Sequence, residues 1–103
     1  MDFWYVYIVR CNDNTLYTGI TTDVSRRLLE HNSGPKGARY TRSRRPVALV
    51  YCEQAASRSV ATKRESRIRK LKISEKGQLV AQQEKISLTT SYETIPHDLN
   101  PDC

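Results

Sequence analysis

Residues 3–11 read Phe-Trp-Tyr-Val-Tyr-Ile-Val-Arg-Cys, and both alternating sets of that run are largely apolar. Phe3, Tyr5, Tyr7 and Val9 fall on one side of an extended chain, and Trp4, Val6 and Ile8 fall on the other. A strand apolar on both sides cannot sit at a sheet surface; it must be covered from above and below. The run 15–20, Thr-Leu-Tyr-Thr-Gly-Ile, is again rich in aromatic and β-branched residues, with Asn12-Asp13-Asn14 between the two. That is a β-hairpin signal. If the loop holds three residues, Cys11 pairs with Thr15, Val9 with Tyr17 and Tyr7 with Gly19. Tyr7 and Tyr17 are then neighbours on one face, whereas a two-residue loop turns them to opposite faces. Gly19 beside Tyr7 leaves an opening where a ligand could approach the backbone. The plain alternative is that both tyrosines pack, with their hydroxyls at the edge of the core. With six Tyr and one Phe in the chain, the hydroxyls themselves are of interest.

Further along, Thr22 is a candidate cap for a helix starting at Asp23 and running to about Asn32, where Gly34-Pro35 stops it. The stretch 34–46, Gly-Pro-Lys-Gly-Ala-Arg-Tyr-Thr-Arg-Ser-Arg-Arg-Pro, reads as a basic loop. Residues 47–53 form a third strand, 57–71 carry helical spacing through Val60, Ala61, Ile68 and Leu71, and a short helix follows Ser74. The order ββαβαα predicts an α+β fold, a small, mainly antiparallel three-stranded sheet flanked by helices. Residues 1–83 make one domain, and 84–103 read as an acidic, mobile C-terminal tail.

The chain is 103 residues long, and no apolar run approaches the ~18–20 residues of a membrane span. Three widely spaced cysteines without a CxxC pair argue against a disulfide framework and a zinc site, and for a reducing cytoplasm. Charge is more telling. Up to residue 82 there are sixteen Lys and Arg against seven Asp and Glu, a balance of +9, and beyond it one lysine against four acids, −3. The basic excess belongs to the domain, which favours a polyanion partner, most often nucleic acid.

On the first helix, Arg27 and His31 lie one turn apart on one face, beside the apolar pair Val24 and Leu28. That puts both at the boundary of the buried side. On the second helix, Glu65 is four after Ala61 and three before Ile68, so it shares the core-facing side, with Lys63, Arg64, Arg67, Arg69 and Lys70 around it. The bland reading is a surface pair with Arg69, worth well under ~1 kcal/mol.

These elements together resemble the GIY-YIG nuclease superfamily, in particular its short single-domain bacterial subgroup. Tyr5-Val6-Tyr7 stands where the family has Gly-Ile-Tyr, and Tyr17-Thr18-Gly19 where it has Tyr-Ile-Gly. The family's arginine falls on Arg27 and not Arg26, a histidine found in several branches on His31, and its metal-binding helix glutamate on Glu65. The resemblance spans about residues 4–75. Two departures stand out: Ile20 occupies a place where some branches have lysine, and no Asn lies between Asn32 and Asn100 to match a late-helix Asn, so Gln78 or Lys76 would have to replace it.

What the resemblance implies is a metal-dependent DNA endonuclease that hydrolyses phosphodiester bonds, linked to DNA repair or recombination. Glu65 would hold Mg²⁺ (or Mn²⁺), and Arg27 would bind the scissile phosphate. Tyr7, Tyr17 and His31 are alternative general bases, with Tyr7 as base and Tyr17 as positioner the favoured division. A phenol serves as base only if the metal or Arg27 lowers its pKa from ~10. Arg39, Arg42, Arg44 and Arg45 in the loop, and Lys63, Arg67 and Lys70 on the second helix, would contact the DNA backbone without reading sequence. The chain shows no sequence-reading module, so cutting would follow DNA structure (branches, nicks or flaps) or a protein partner would supply the target. The rival readings are a module of the same fold that binds nucleic acid and cuts nothing, and an interaction protein whose acidic tail shields its basic face.

Overall fold

Leu16 to Thr21 fold back on the first strand because Asn14 adopts the left-handed conformation (φ 69°) that closes a three-residue hairpin loop. The Cys11 N–H donates to the Thr15 carbonyl at 2.8 Å, and the Asn14 N–H to the Cys11 carbonyl at 2.9 Å. A computed structural model describes residues 3–90, with side chains through residue 83. Within them β1 (Trp4–Arg10), β2 (Leu16–Thr21) and β3 (Ala48–Ala55) form an antiparallel sheet in the order β2-β1-β3. The register pairs Tyr7 with Gly19 and Val9 with Tyr17, as the odd loop requires. Between β1 and β3 the register slips after Ile8, leaving Val50 as an extra residue.

The central strand is buried on both faces. Val6 and Ile8 pack with Tyr51, Ala55, Ala61, Ile68 and Val80 under α3 (Arg58–Arg69) and α4 (Ile73–Thr90). Tyr7 and Val9 pack on the other side with Cys11, Val47 and the half-buried Leu28 of α1 (Val24–Asn32). Burying each of Val6, Ile8 and Ile68 contributes about 1.5–3 kcal/mol against conformational entropy.

Several local expectations shift by one element. Asp23, not Thr22, caps α1, accepting from the Arg26 N–H at 3.0 Å, while Thr21 receives the Asp23 N–H. The basic loop contains one helical turn, α2 (Arg39–Arg42), so the order is ββααβαα. The helix expected to be short after Ser74 runs to Thr90, past the expected start of the tail at 84; residues 91–103 lie outside the described residues. Glu75 starts this helix by accepting the Lys72 N–H at 2.9 Å. Gln83 then covers the outer edge of β3, with its amide accepting from the Cys52 N–H at 2.9 Å and donating to the Cys52 carbonyl at 2.8 Å. Cys11 is a buried free thiol. Among the described residues no helix is long and apolar enough to cross a membrane.

Candidate active site

Tyr7 points to the α1 side of the sheet, and the register lays its ring across Gly19. A Cβ on Gly19 would lie 2.5 Å from the Tyr7 hydroxyl oxygen and 2.7 Å from Cζ. The gap expected there for a ligand is therefore filled by Tyr7 itself. The missing side chain at 19 makes room for the phenol.

The hydroxyl of Tyr7 meets His31 Nε2 at 2.7 Å, and His31 Nδ1 meets Thr41 Oγ1 at 2.8 Å. Thr41 spends its own proton on the Ala38 carbonyl, at 3.0 Å. Its oxygen must therefore accept from His31, which puts the imidazole hydrogen on Nδ1 and leaves Nε2 to accept from Tyr7. The result is a one-way chain, Tyr7 to His31 to Thr41 to the Ala38 carbonyl. All three side chains are buried, His31 and Thr41 completely. His31 is thus not at the boundary of the core, as its helical position suggests, but inside it.

Electrostatics keeps that imidazole neutral. Burial, then the charges of Arg27 and Arg45, lower the His31 pKa to about 4, although Glu30 opposes them. The imidazole is neutral near pH 7. Burial also pushes Tyr7 up to about 12, more than the nearby Arg27 guanidinium pulls it down; Tyr17 and the Glu65 carboxylate add to the rise. The lowered phenol anticipated for a Tyr7 base is not what the resting site holds. The same balance shows that Arg27, Tyr17 and Glu65 all act on this one hydroxyl. Glu65 does so from α3, whose buried residues Ala61 and Ile68 pack on the opposite face of the sheet.

Tyr17 projects onto the Tyr7 face and sets its ring edge against His31, with centroids 5.4 Å apart at 68°. Its other neighbour is Tyr40 of α2, stacked at 5.9 Å and 22°. The Arg44 guanidinium lies 4.0 Å over Tyr40. Among the described residues the Tyr17 hydroxyl has no hydrogen-bond partner. Arg27 is a quarter exposed; its Nη1 donates to Glu30 Oε1 at 2.9 Å and to the Lys36 carbonyl at 2.8 Å, which holds its stem in place.

The basic residues divide into two sets. Arg45 donates from Nε to the His31 carbonyl and from Nη2 to the Gly34 carbonyl, both at 2.7 Å, and so closes the C-terminal end of α1. Arg44 pairs with Asp13 at 3.0 Å and reaches the Tyr40 carbonyl at 2.8 Å. These two brace α2 against the hairpin and α1. Arg39 and Arg42 on α2, and Lys63, Arg67 and Lys70 on or just after α3, are exposed.

Thr41 and Tyr40 were not singled out from the sequence. Tyr40 carried a usable signal, an aromatic residue set among arginines. Thr41 carried none, since its partner lies ten residues back in another helix.

The resemblance calls for a divalent ion. Among the described residues no group of three or more His, Cys, Asp or Glu gathers, and the carboxylate that the resemblance assigns to the ion is Glu65. Its carboxylate is one-fifth exposed and 3.9 Å from Arg69 Nη1, too far for a tight hydrogen-bonded pair, so its lone pairs stay open to a cation. One carboxylate suits Mg²⁺, which keeps most of its waters and takes phosphate oxygens.

The GIY-YIG catalytic domain model matches residues 3–78. A UPF0213 protein of Desulfotalea psychrophila is 61% identical over 82 residues, covering 80% of this chain and 74% of its own. A UPF0213 protein of Syntrophus aciditrophicus is 55% identical over 78 residues, covering 76% and 90%. The solution NMR structure of a UPF0213 protein from Bacillus halodurans, 45% identical, overlays with a TM-score of 0.50 over 80% of this chain and 85% of that one. It shares the antiparallel sheet with flanking helices.

Proposed function

Because this chain belongs to the GIY-YIG nuclease family, we propose that it is a metal-dependent DNA endonuclease that cuts according to DNA structure and serves repair or recombination. The observation that carries this reading is the Tyr7 hydroxyl donating at 2.7 Å to the unprotonated Nε2 of a buried, neutral His31, with Arg27 and Glu65 acting on the same phenol.

Hydrolysis requires a deprotonated water, neutralised phosphoryl charge and a stabilised leaving oxygen. With Tyr7 at about 12, its phenolate is not present in advance near neutral pH. Tyr7 therefore takes a proton from the attacking water as it passes its own to His31 Nε2. The water O–H and the phenol O–H break together, and the imidazolium keeps its Nδ1–H bond to Thr41. Arg27 and Arg45 disfavour that imidazolium in the resting site. Negative charge building on a phosphate beside Arg27 offsets them during the reaction. Tyr17 orients the water or the phosphate through its hydroxyl. Glu65 would hold Mg²⁺ (or Mn²⁺), which would supply Lewis-acid stabilisation of the phosphoryl charge. Arg39, Arg42, Lys63, Arg67 and Lys70 take backbone phosphates, which positions DNA without reading its sequence.

The test is a Mg²⁺-dependent cleavage assay on branched, nicked, flapped and single-stranded DNA with wild type, Arg27→Ala and Glu65→Ala, each checked for folding. Loss of at least about a hundredfold in both variants is expected. Equal cleavage by all three proteins overturns the proposal. The second reading, a module that binds and does not cut, draws on the engagement of Arg27 by Glu30 and Lys36. It predicts DNA binding indifferent to Mg²⁺ and no cleavage of any substrate.

A further inference from the structure

We propose that a groove between the closing end of the β1–β2 hairpin and the first turns of α4 receives an unpaired nucleotide next to the phosphate that is cut. Two adjoining hollows of about 230 and 490 Å³ share Leu16, Tyr40 and Lys76. The smaller reaches Tyr17 and Arg69; the larger reaches Arg10, Ile73 and Gly77. Among the described residues their joint lining carries three cations and no acidic side chain. Leu16, half-buried, and the rings of Tyr17 and Tyr40 supply apolar and aromatic surface, and Ile73 stands at the edge 84% exposed, an unusual amount of open surface for an isoleucine. A basic rim over an apolar and aromatic floor suits a base with its phosphates. Within a duplex the base edges are paired and the faces stacked, so only an unpaired nucleotide offers its ring to such a floor.

Gly77 supports the same occupant independently. It sits inside α4, where glycine weakens a helix relative to alanine. Yet among the described residues no atom lies within 4 Å of where its Cβ would stand, so their packing does not demand a glycine. Gly77 lines the larger hollow. What its missing side chain preserves is the open space. Lys76, beside it, lines both hollows and so spans from Tyr17 to the far end.

The place of the cut phosphate rests on the nuclease reading; the groove's preference for single strands does not. The test is therefore binding without metal, in EDTA, by fluorescence anisotropy of the full chain. A short labelled oligothymidylate is compared with a blunt duplex for wild type, Gly77→Leu, Ile73→Asp and Lys76→Ala. Gly77→Leu should melt no lower than wild type, lose about tenfold in single-strand affinity and keep its duplex affinity. Ile73→Asp, at an exposed position, should show the same split. Lys76→Ala should reduce the salt slope of single-strand binding by about 0.7. Unchanged single-strand affinity in Gly77→Leu and Ile73→Asp overturns the proposal, as would be the case for a groove that takes a protein segment. Equal losses for strand and duplex overturn it too. A chain that shows the split but cuts nothing fails the nuclease reading alone, and one that cuts without the split fails this inference alone.

Discussion

Acidification from about pH 8 to about pH 5 should cost the fold about 2 kcal/mol through His31 alone. In the folded chain its imidazole is completely buried and titrates at about 4, against an ordinary 6.5. It faces the Tyr7 hydroxyl, the Tyr17 ring and Thr41, with the like charges of Arg27 and Arg45 outweighing Glu30. The unfolded chain therefore binds a proton from 6.5 downward, which the folded chain refuses until about 4. The unfolded state holds more protons in that window, so stability is full above 6.5, falls as pH drops through the window and levels off below about 4. The whole gap corresponds to about 3 kcal/mol, of which about 2 is lost by pH 5. Urea unfolding followed by fluorescence of Trp4 across this range, for wild type and His31→Gln, isolates the contribution. Nitrogen NMR of the imidazole gives the second readout: Nδ1 protonated and Nε2 bare from pH 8 to pH 5. A folded-state titration near the ordinary value, an Nε2–H tautomer, or the same pH slope in both proteins would refute the reasoning, and with it the direction of the proton chain.

Three further outcomes follow from the same contacts. Gly19→Ala places a Cβ 2.5 Å from the Tyr7 oxygen, so the ring must leave His31; about 1–3 kcal/mol of destabilisation and a cleavage loss of at least about a hundredfold are expected by melting and kinetics. Thr41→Val strands the buried His31 Nδ1–H and should cost about 1–3 kcal/mol in denaturant unfolding, while Thr41→Ser keeps the acceptor and stays close to wild type. Arg45→Ala should lower the melting temperature with little change in DNA affinity, since its guanidinium serves the end of α1; Arg67→Ala should do the reverse and reduce the salt slope of binding by about one.

The hairpin was readable because its evidence is local. Two apolar sets in nine residues demand a covered central strand, and Asn12-Asp13-Asn14 supplies a loop whose odd length puts Tyr7 and Tyr17 on one face. Helical spacing likewise put Arg27 beside His31. It could not say that His31 is wholly inside, because burial depends on what α2 brings across from the neighbouring loop. Arg44 and Arg45 show the same limit. In sequence they look like Arg39 and Arg42, yet their heads close a helix end and brace a hairpin turn. The helix expected to be short after Ser74 runs on through Gly77 to Thr90.

The sequence by itself determined the alternation and the helix periods, because those depend on backbone geometry over a few neighbours, while of the two loop lengths it allowed the structure takes the one that puts Tyr7 and Tyr17 on one face. The sequence also carried the family pattern, since the motif residues keep their spacing in the chain. Only the tertiary structure decided the protonation of the site. The tautomer of His31, the raised phenol of Tyr7 and the reach of Glu65 to that phenol each sum the fields and hydrogen bonds of groups from β1, β2, α1, α2 and α3. No local window of the chain contains that sum.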